Sequence, residues 1–271
     1  MFNKSKANPT MSDGDLTVDA RLTSLSFVFP MYNEIGNIER SVNGALDVGR
    51  RMAEDVEIVI VDDASTDGCG ELADRLAVTQ PEIKVIHHAK NRKLGGAMKS
   101  GFANASKDWV LYIDSDMPIK LEESLRAVPP ALSGSDLVIG WRRNRSEGLK
   151  REILSFVYNR IIRYAFGLTV KDVNFAFKMM RREVLQAVPL YSEGSFIDAE
   201  LLIEAKRQGF RIAEIGLDYF PRTAGVSTLA SNSVILKILS EMRAYRRNRR
   251  TTPIRAGEAT VAVPKTRHSQ R

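Results

Sequence analysis

Hydrophobic runs along this chain repeatedly stop on short polar motifs. Ser26-Phe27-Val28-Phe29 runs into Pro30-Met31-Tyr32-Asn33-Glu34, and Glu57-Ile58-Val59-Ile60-Val61 runs into Asp62-Asp63-Ala64-Ser65-Thr66-Asp67-Gly68. Trp109-Val110-Leu111-Tyr112-Ile113 runs into Asp114-Ser115-Asp116. Short runs rich in β-branched and aromatic residues, closed by Asp, Asn, Gly or Pro, predict buried parallel strands. The pattern predicts strands at 24–29, 56–61, 83–87, 109–113 and 137–141, and helices near 34–52, 68–78, 95–106 and 121–132. Ile35, Ile38, Val42, Ala45 and Leu46, for example, recur at helical spacing. Such alternation predicts a parallel sheet with crossover helices. Ligands of open α/β sheets bind beyond the carboxyl ends of the strands. Three strands therefore deliver polar residues to one rim, which is the expected active site.

Beyond Gly140 the order loosens into a helix near 149–166, a short strand near 175–180, a helix at 197–208 and a strand at 211–219. Residues 1–22 and 251–271 are polar and aperiodic, and are expected to be a disordered leader and tail. The catalytic domain is expected over 23–228, with a nucleotide-sugar half at 23–141 and an acceptor half at 142–228, followed by an amphipathic basic helix at 229–250.

Composition narrows the function classes. The 271 residues are 44% hydrophobic and 27% charged, ordinary for a soluble α/β protein with ample core. The net charge is +7, yet Arg243–Arg271 carries nine Lys or Arg against Glu258 alone, so the basic balance belongs to the tail. An acidic rim repels a phosphate backbone, which argues against nucleic acid as a partner. Cys69 is the single cysteine, which excludes an intrachain disulfide and a thiolate metal cluster and fits a reducing cytosol. No apolar stretch reaches the roughly 18–20 residues needed to span a bilayer.

At the rim, Asp114 and Asp116 stand one residue apart at a strand end, where both can face one hard cation. Mg²⁺ and Mn²⁺ accept a few carboxylate oxygens plus diphosphate oxygens and water. Such an ion would neutralise charge on a departing nucleoside diphosphate. Asp62 and Asp63 suit a ribose hydroxyl or a base N–H, or simply the N-terminal cap of the next helix. Pro30, Tyr32 and Glu34 offer a base an aromatic face and a carboxylate, while Asn33 is a candidate cap. Gly95-Gly96 opens a helix and suits either close approach to a phosphate or a plain turn. Arg142 and Arg143 follow a strand back onto the rim. Arg151, Ser155 and Asn159, spaced by four, form a polar stripe beside Ile153, Leu154, Phe156, Val157, Ile161 and Ile162. That stripe fits a phosphate-headed, greasy acceptor or a polar seam in a buried helix. Asp198 at a helix start and Arg222 beyond a strand are each ambiguous alone.

As a set in this order, the motifs resemble the inverting family 2 glycosyltransferases of GT-A fold, in the branch of dolichyl- or polyprenyl-phosphate mannosyltransferases and glucosyltransferases. The resemblance covers roughly Leu25–Ser227, including Gly140-Trp141-Arg142, Asp172-Val173, Arg181–Leu185 and Arg222–Ser227. It implies a mostly parallel central sheet flanked by helices. Pro30, Tyr32, Glu34 and Asp63 would hold the nucleoside, and Asp62 joins them from its place at the strand end. Asp114 and Asp116 would hold Mg²⁺ or Mn²⁺ and the donor diphosphate. Arg142, Arg151, Ser155 and Arg222 would bind donor and acceptor phosphates. Asp198 occupies the place of a catalytic base in relatives that use hydroxyl acceptors. Where the family commonly has Ser-Gly-Phe after the aspartate, this chain has Asn174-Phe175-Ala176-Phe177.

The resemblance implies transfer of a hexose, mannose or glucose, from a GDP- or UDP-sugar to a polyprenyl phosphate with inversion. The alternatives are a soluble family 2 enzyme with a hydroxyl acceptor and Asp198 as base, and a non-catalytic nucleotide-sugar-binding protein. Val234, Ile235, Ile238, Leu239, Met242 and Tyr245 share one face of the helix at 231–250, which ends in Arg246-Arg247-Asn248-Arg249-Arg250. That face suits either packing on the domain or a membrane surface, and the terminal arginines favour the surface. The chain is expected in the cytoplasm, peripherally on the inner face of the cell membrane.

Overall fold

The computed structural model describes residues 20–116, 119–143, 149–219 and 232–249, with backbone alone for 149–153, 232–239 and 249. Strand β1 (Leu22–Met31) leads to α1 (Ile38–Met52), β2 (Ala53–Asp62), α2 (Cys69–Thr79), β3 (Ile83–His87), α3 (Lys93–Asn104) and β4 (Trp109–Ile113). A 3₁₀ segment (Leu121–Ala127) and α4 (Val128–Leu132) follow, then β5 (Leu137–Arg142), α5 (Leu149–Phe166), β6 (Phe177–Arg181), α6 (Arg182–Ala187), α7 (Ile197–Arg207), β7 (Ile212–Leu217) and α8 (Asn232–Arg249). The helix expected at 121–132 is thus broken in two. Pro129 and Pro130 lack N–H donors, so they are tolerated only where a new helix starts.

The seven strands form one sheet in the order β3-β2-β1-β4-β6-β5-β7. All pairs are parallel except those of β6, which runs antiparallel to both β4 and β5. Side chains alternate across the pleat, so each strand feeds two cores. Leu25, Phe27, Phe29 and Leu111 pack toward α1 and α2, in a cluster with Val42, Leu46 and Ala73. Val28, Val59, Val61, Val110 and Tyr112 pack on the other face with Met98, Ile162, Ile197 and Leu201. Met31 pairs with Asp62 and Val28 with Tyr112, so β1, β2 and β4 end at nearly one level. The polar motifs therefore emerge side by side.

Helix α7 is buried from Ile197 through Ala205, including Asp198, Glu200 and Glu204. Buried carboxylates require partners, and those partners organise the acceptor side. Of the two places left open for helix α8, its described side chains take the packed one. Met242 and Tyr245 are buried against the domain, and the Tyr245 ring stands 5.6 Å from Phe166 and 5.5 Å from Phe196. Over its described side chains, the face expected on a membrane is packed on the protein.

Candidate active site

A cavity of about 460 Å³ opens beyond the ends of β1, β2 and β4, within the range of small-molecule sites. Its described lining brings together Pro30, Tyr32, Glu34, Asp63, Asp114, Asp116, Arg142 and Asp198, eight of the twelve residues expected there. Five carboxylates thus face the cations Lys93 and Arg142. So acidic a chamber disfavours a diphosphate unless a cation accompanies it.

Asp62 and Asp63 part company. Asp63 is anchored on the cavity side, with Oδ1 accepting from Arg92 N at 2.7 Å and meeting His88 Nδ1 at 2.6 Å. Asp62 is outside the cavity lining. Its Oδ1 accepts from Ser65 N at 3.0 Å, and its Oδ2 pairs with His87 Nδ1 at 2.9 Å. Adjacent residues of a strand point to opposite faces, so only one of the two can face the ligand. Burial opposes ionisation of Asp62, but hydrogen bonds from Ser65 and His87 outweigh it and hold the carboxyl below its ordinary value. The role expected for Asp62 in ligand contact gives way to one of bracing His87, whose Nε2 reaches Asp74 at 3.0 Å.

The loops after β1 and β2 are tied together. Asn33 Oδ1 accepts from Thr66 N at 2.8 Å, Asn33 N donates to Ser65 Oγ at 3.1 Å, and Ile35 N donates to Asp67 Oδ2 at 3.0 Å. Asn33 therefore braces the neighbouring loop, and α1 starts later, after Asn37. Asn33, Ala64 and Lys93 all take positive φ, at 57°, 62° and 61°. Such backbone costs about 1–3 kcal/mol per residue and persists where the surroundings impose it; here all three flank the cavity. Gly95 has a reason beyond the phosphate contact or plain turn left open for it. A Cβ there would lie 2.5 Å from Ser192 O, and Gly95 N donates to Glu193 O at 2.8 Å. Its close approach is to the chain itself.

At the end of β4, Asp114 Oδ1 accepts from Tyr112 OH at 2.9 Å. Burial, with Asp114 and Asp198 adding to it, pushes the Tyr112 phenol well above its ordinary range, so it remains a neutral donor. Ser115 Oγ donates to Pro30 O at 3.2 Å and fastens this turn to β1. Among the described residues no cluster of three or more His, Cys, Asp or Glu could hold a metal alone. Asp114 and Asp116 fit Mg²⁺ or Mn²⁺ as an open, all-oxygen pair whose other positions fall to diphosphate and water.

The acceptor wall rests on buried ions. Lys178 of β6, 1% exposed, donates to Asp198 Oδ1 at 2.5 Å and to Phe175 O at 2.8 Å. Burial lifts the Asp198 carboxyl above its ordinary value, Asp114 and Asp172 add to this, and Lys178 opposes it. Arg142 donates from Nε and Nη2 to Asp172 at 2.7 and 3.0 Å, between the rings of Phe175 and Tyr219. Any charge it offers a phosphate is shared with Asp172. In the expected stripe, Asn159 is engaged with the backbone of Lys171 and Val173, and Ser155 is half-buried outside the cavity lining. The Arg151 side chain and all of Arg222 lie outside the described residues. Lys178 and Ser195 were not expected at the site, and Asn174, noted only as a departure from the family segment, lines the cavity. For Lys178 a signal existed, a cation inside the apolar run Phe177–Met180, which demands a buried partner.

The profile of Glycosyl transferase family 2 matches residues 26–188. The polyprenol monophosphomannose synthase of Mycolicibacterium smegmatis is 30% identical over 76% of this chain and 81% of its own length. The undecaprenyl-phosphate 4-deoxy-4-formamido-L-arabinose transferase of Pectobacterium carotovorum is 30% identical over 86% of this chain and 70% of its own. Among solved structures, glucosyl-3-phosphoglycerate synthase from Mycobacterium tuberculosis in complex with Mn²⁺, UDP-glucose and phosphoglyceric acid superposes with a TM-score of 0.63. It is 23% identical and covers 87% of this chain and 85% of that one. The shared fold bears out the expected GT-A architecture.

Proposed function

We propose, from the premise that this chain belongs to glycosyl transferase family 2, that it moves a sugar from a nucleoside diphosphate to a polyprenyl phosphate with inversion. The relatives' names support a polyprenyl phosphate acceptor and differ in the sugar, mannose in one and a modified arabinose in the other. A hexose from a GDP- or UDP-sugar remains the reading for this chain. The observation that carries the proposal is the asymmetry of the cavity. Its donor wall turns Tyr32, Glu34, Asp63, Asp114 and Asp116 to the cavity, whereas the one carboxylate placed as a base, Asp198, is bound to a buried lysine. An acceptor phosphate arrives already ionised and requires no base, so orientation and charge compensation carry the rate.

In this reading Tyr32, half exposed at the rim, stacks on the base, and Asp63, locked by His88 and Arg92, accepts from the nucleoside. Asp114, oriented by Tyr112, and Asp116 would hold Mg²⁺ or Mn²⁺. When bound, such an ion neutralises the leaving diphosphate. The acceptor oxygen forms its bond to the anomeric carbon as the bond to the diphosphate breaks, and the electron pair leaves with the nucleoside diphosphate. Lys178 and Asp198 form a fixed polar wall beside that line. Arg151, Ser155 and Arg222 are proposed for the acceptor phosphate on the resemblance alone.

A membrane-held acceptor calls for contact with a lipid surface. Among the described residues no helix is long and apolar enough to cross a membrane. Helix α5 instead exposes Phe156, Val157 and Tyr164, with Arg160 stacked on Tyr164 at 5.1 Å. These positions share one helical face and border a surface hollow. We assign peripheral contact with anionic lipid to this face. Phe156→Ser/Tyr164→Ser should abolish flotation with anionic vesicles; undiminished flotation would remove α5 from this role.

A second reading, transfer to a hydroxyl with Asp198 as base, draws on its upward-shifted carboxyl. One experiment separates the two. The full chain is assayed with UDP-glucose and GDP-mannose, Mn²⁺ and a detergent-soluble polyprenyl phosphate, alongside Asp198→Asn. Polyprenyl-phosphate sugar should form, and turnover should survive in the variant. Loss of all turnover in a folded Asp198→Asn protein would sink the phosphate reading.

A further inference from the structure

The last helix reaches back to the cavity through one carboxylate. Glu241 of α8 accepts a hydrogen bond at Oε2 from Phe196 N at 3.0 Å, at the residue that caps the start of α7. Its other oxygen presses against Gly194, where an added Cβ would collide with the Glu241 carboxylate. Gly194, Ser195 and Asp198 all line the cavity. The contact therefore joins a helix outside the matched family region, 26–188, to the acceptor wall.

The joint is reinforced along its length. Tyr245, one turn beyond Glu241 on the same face, packs on Phe196 and Phe166 and donates its hydroxyl to Glu204, two turns down α7. From the other side, Glu200 accepts from Tyr191 N at 3.0 Å and Ser192 N at 2.8 Å, and Lys99 Nζ donates to Tyr191 O at 3.2 Å. The segment Tyr191–Phe196 is thus held by carboxylates from two helices. Glu241 holds its cavity end. A negative group there also suits the positive N-terminal end of α7.

We infer that Glu241 is a positioning residue for glycosyl transfer: it fixes the Gly194–Phe196 turn, and through it Ser195 and Asp198, so α8 belongs to the working site. The side chain touches no substrate, and its effect passes through the Phe196 amide and the Gly194 backbone. A misplacement of about 1 Å in a reacting constellation can cost about a hundredfold in rate. Removing Glu241 should lower kcat while sparing the donor wall, which follows β1, β2 and β4. The inference rests on the reading that this cavity performs transfer.

The test uses the full chain, the sugar donor that supports turnover, Mn²⁺ and a detergent-soluble polyprenyl phosphate. Glu241→Ala should lower kcat about tenfold or more, with donor KM within about twofold. Glu241→Gln keeps an acceptor oxygen for Phe196 N and should recover most of the loss. Gly194→Ala, which forces the carboxylate away, should reproduce the Ala phenotype. Arg243→Ala, at an exposed position on the same helix, reports any helix-wide effect. Hydrogen exchange should quicken at Phe196–Ala199 in Glu241→Ala and stay unchanged in β4. Undiminished kcat, unchanged exchange, or equal losses in kcat and donor binding without rescue by Gln would overturn the inference. Exchange requires no acceptor, so a wild-type chain inactive with polyprenyl phosphate would refute the acceptor reading, and exchange would still decide this one.

Discussion

The donor and acceptor walls face each other across one cavity but are held in different ways. The donor wall is made of residues that directly follow strands, Pro30–Glu34, Asp63 and Asp114–Asp116, tied by hydrogen bonds between neighbouring loops. The acceptor wall is made of single residues from separate elements, joined as buried charged pairs: Lys178 to Asp198 and Arg142 to Asp172. Breaking a buried pair leaves one charge without compensation, whereas loop braces near the surface cost less when lost. The acceptor wall should therefore fail as structure, and the donor wall should fail as function.

The largest effect expected is on stability. Lys178→Met strands Asp198 in the core and should cost about 3–5 kcal/mol in urea unfolding. Adding Asp198→Asn should return part of that loss; a single variant as stable as wild type would erase the contrast between the walls. Next comes Asp116→Asn, which should leave the unfolding midpoint in place and lower Mn²⁺- or Mg²⁺-dependent turnover by about a hundredfold. Near-normal turnover would remove Asp116 from the metal role.

Asn33→Ala probes the donor wall more gently. It loses the Thr66 brace and keeps a positive φ, so a cost of about 1–2 kcal/mol and weaker nucleotide binding should appear together. Asn33→Gly should recover the strain and not the brace, which a nucleotide titration would separate. The smallest effect concerns pH. Asp62 and Asp74 push the His87 imidazolium above its ordinary value of 6.5. Its contribution is then complete below about 6.5 and is lost as pH rises through the folded value. Thermal melts should show a mild decline on the alkaline side that His87→Gln flattens. His87 is 45% exposed, so solvent screens the pair and the slope is shallow.

The donor wall was legible because its chemistry is contiguous. A strand that ends in Asp114-Ser115-Asp116 carries both carboxylates to the rim in whichever sheet it joins. The division of labour between Asp62 and Asp63 was not legible, since strand alternation sends one of them away but does not say which. On the acceptor side Arg142 and Asp198 were recognised as residues, yet their partners lie 30 and 20 positions away. Nothing local marks such pairing. Gly95 suited a phosphate or a plain turn and proved to be the place where α3 meets the chain at Ser192.

Helix α8 shows the same boundary. Its apolar period specified an amphipathic helix and an aromatic position at Tyr245, but an apolar face is indifferent to whether lipid or protein covers it. The sequence by itself determined which segments are strands, which strand ends carry acid, and the family to which those motifs belong. Only the tertiary structure decided that β6 runs against its neighbours, that Lys178 binds Asp198, and that Glu241 closes on the turn at Gly194. Periodicity and strand-end chemistry are local properties of the chain. Burying a charge beside its partner depends on distant segments meeting, and that is settled when the two cores pack.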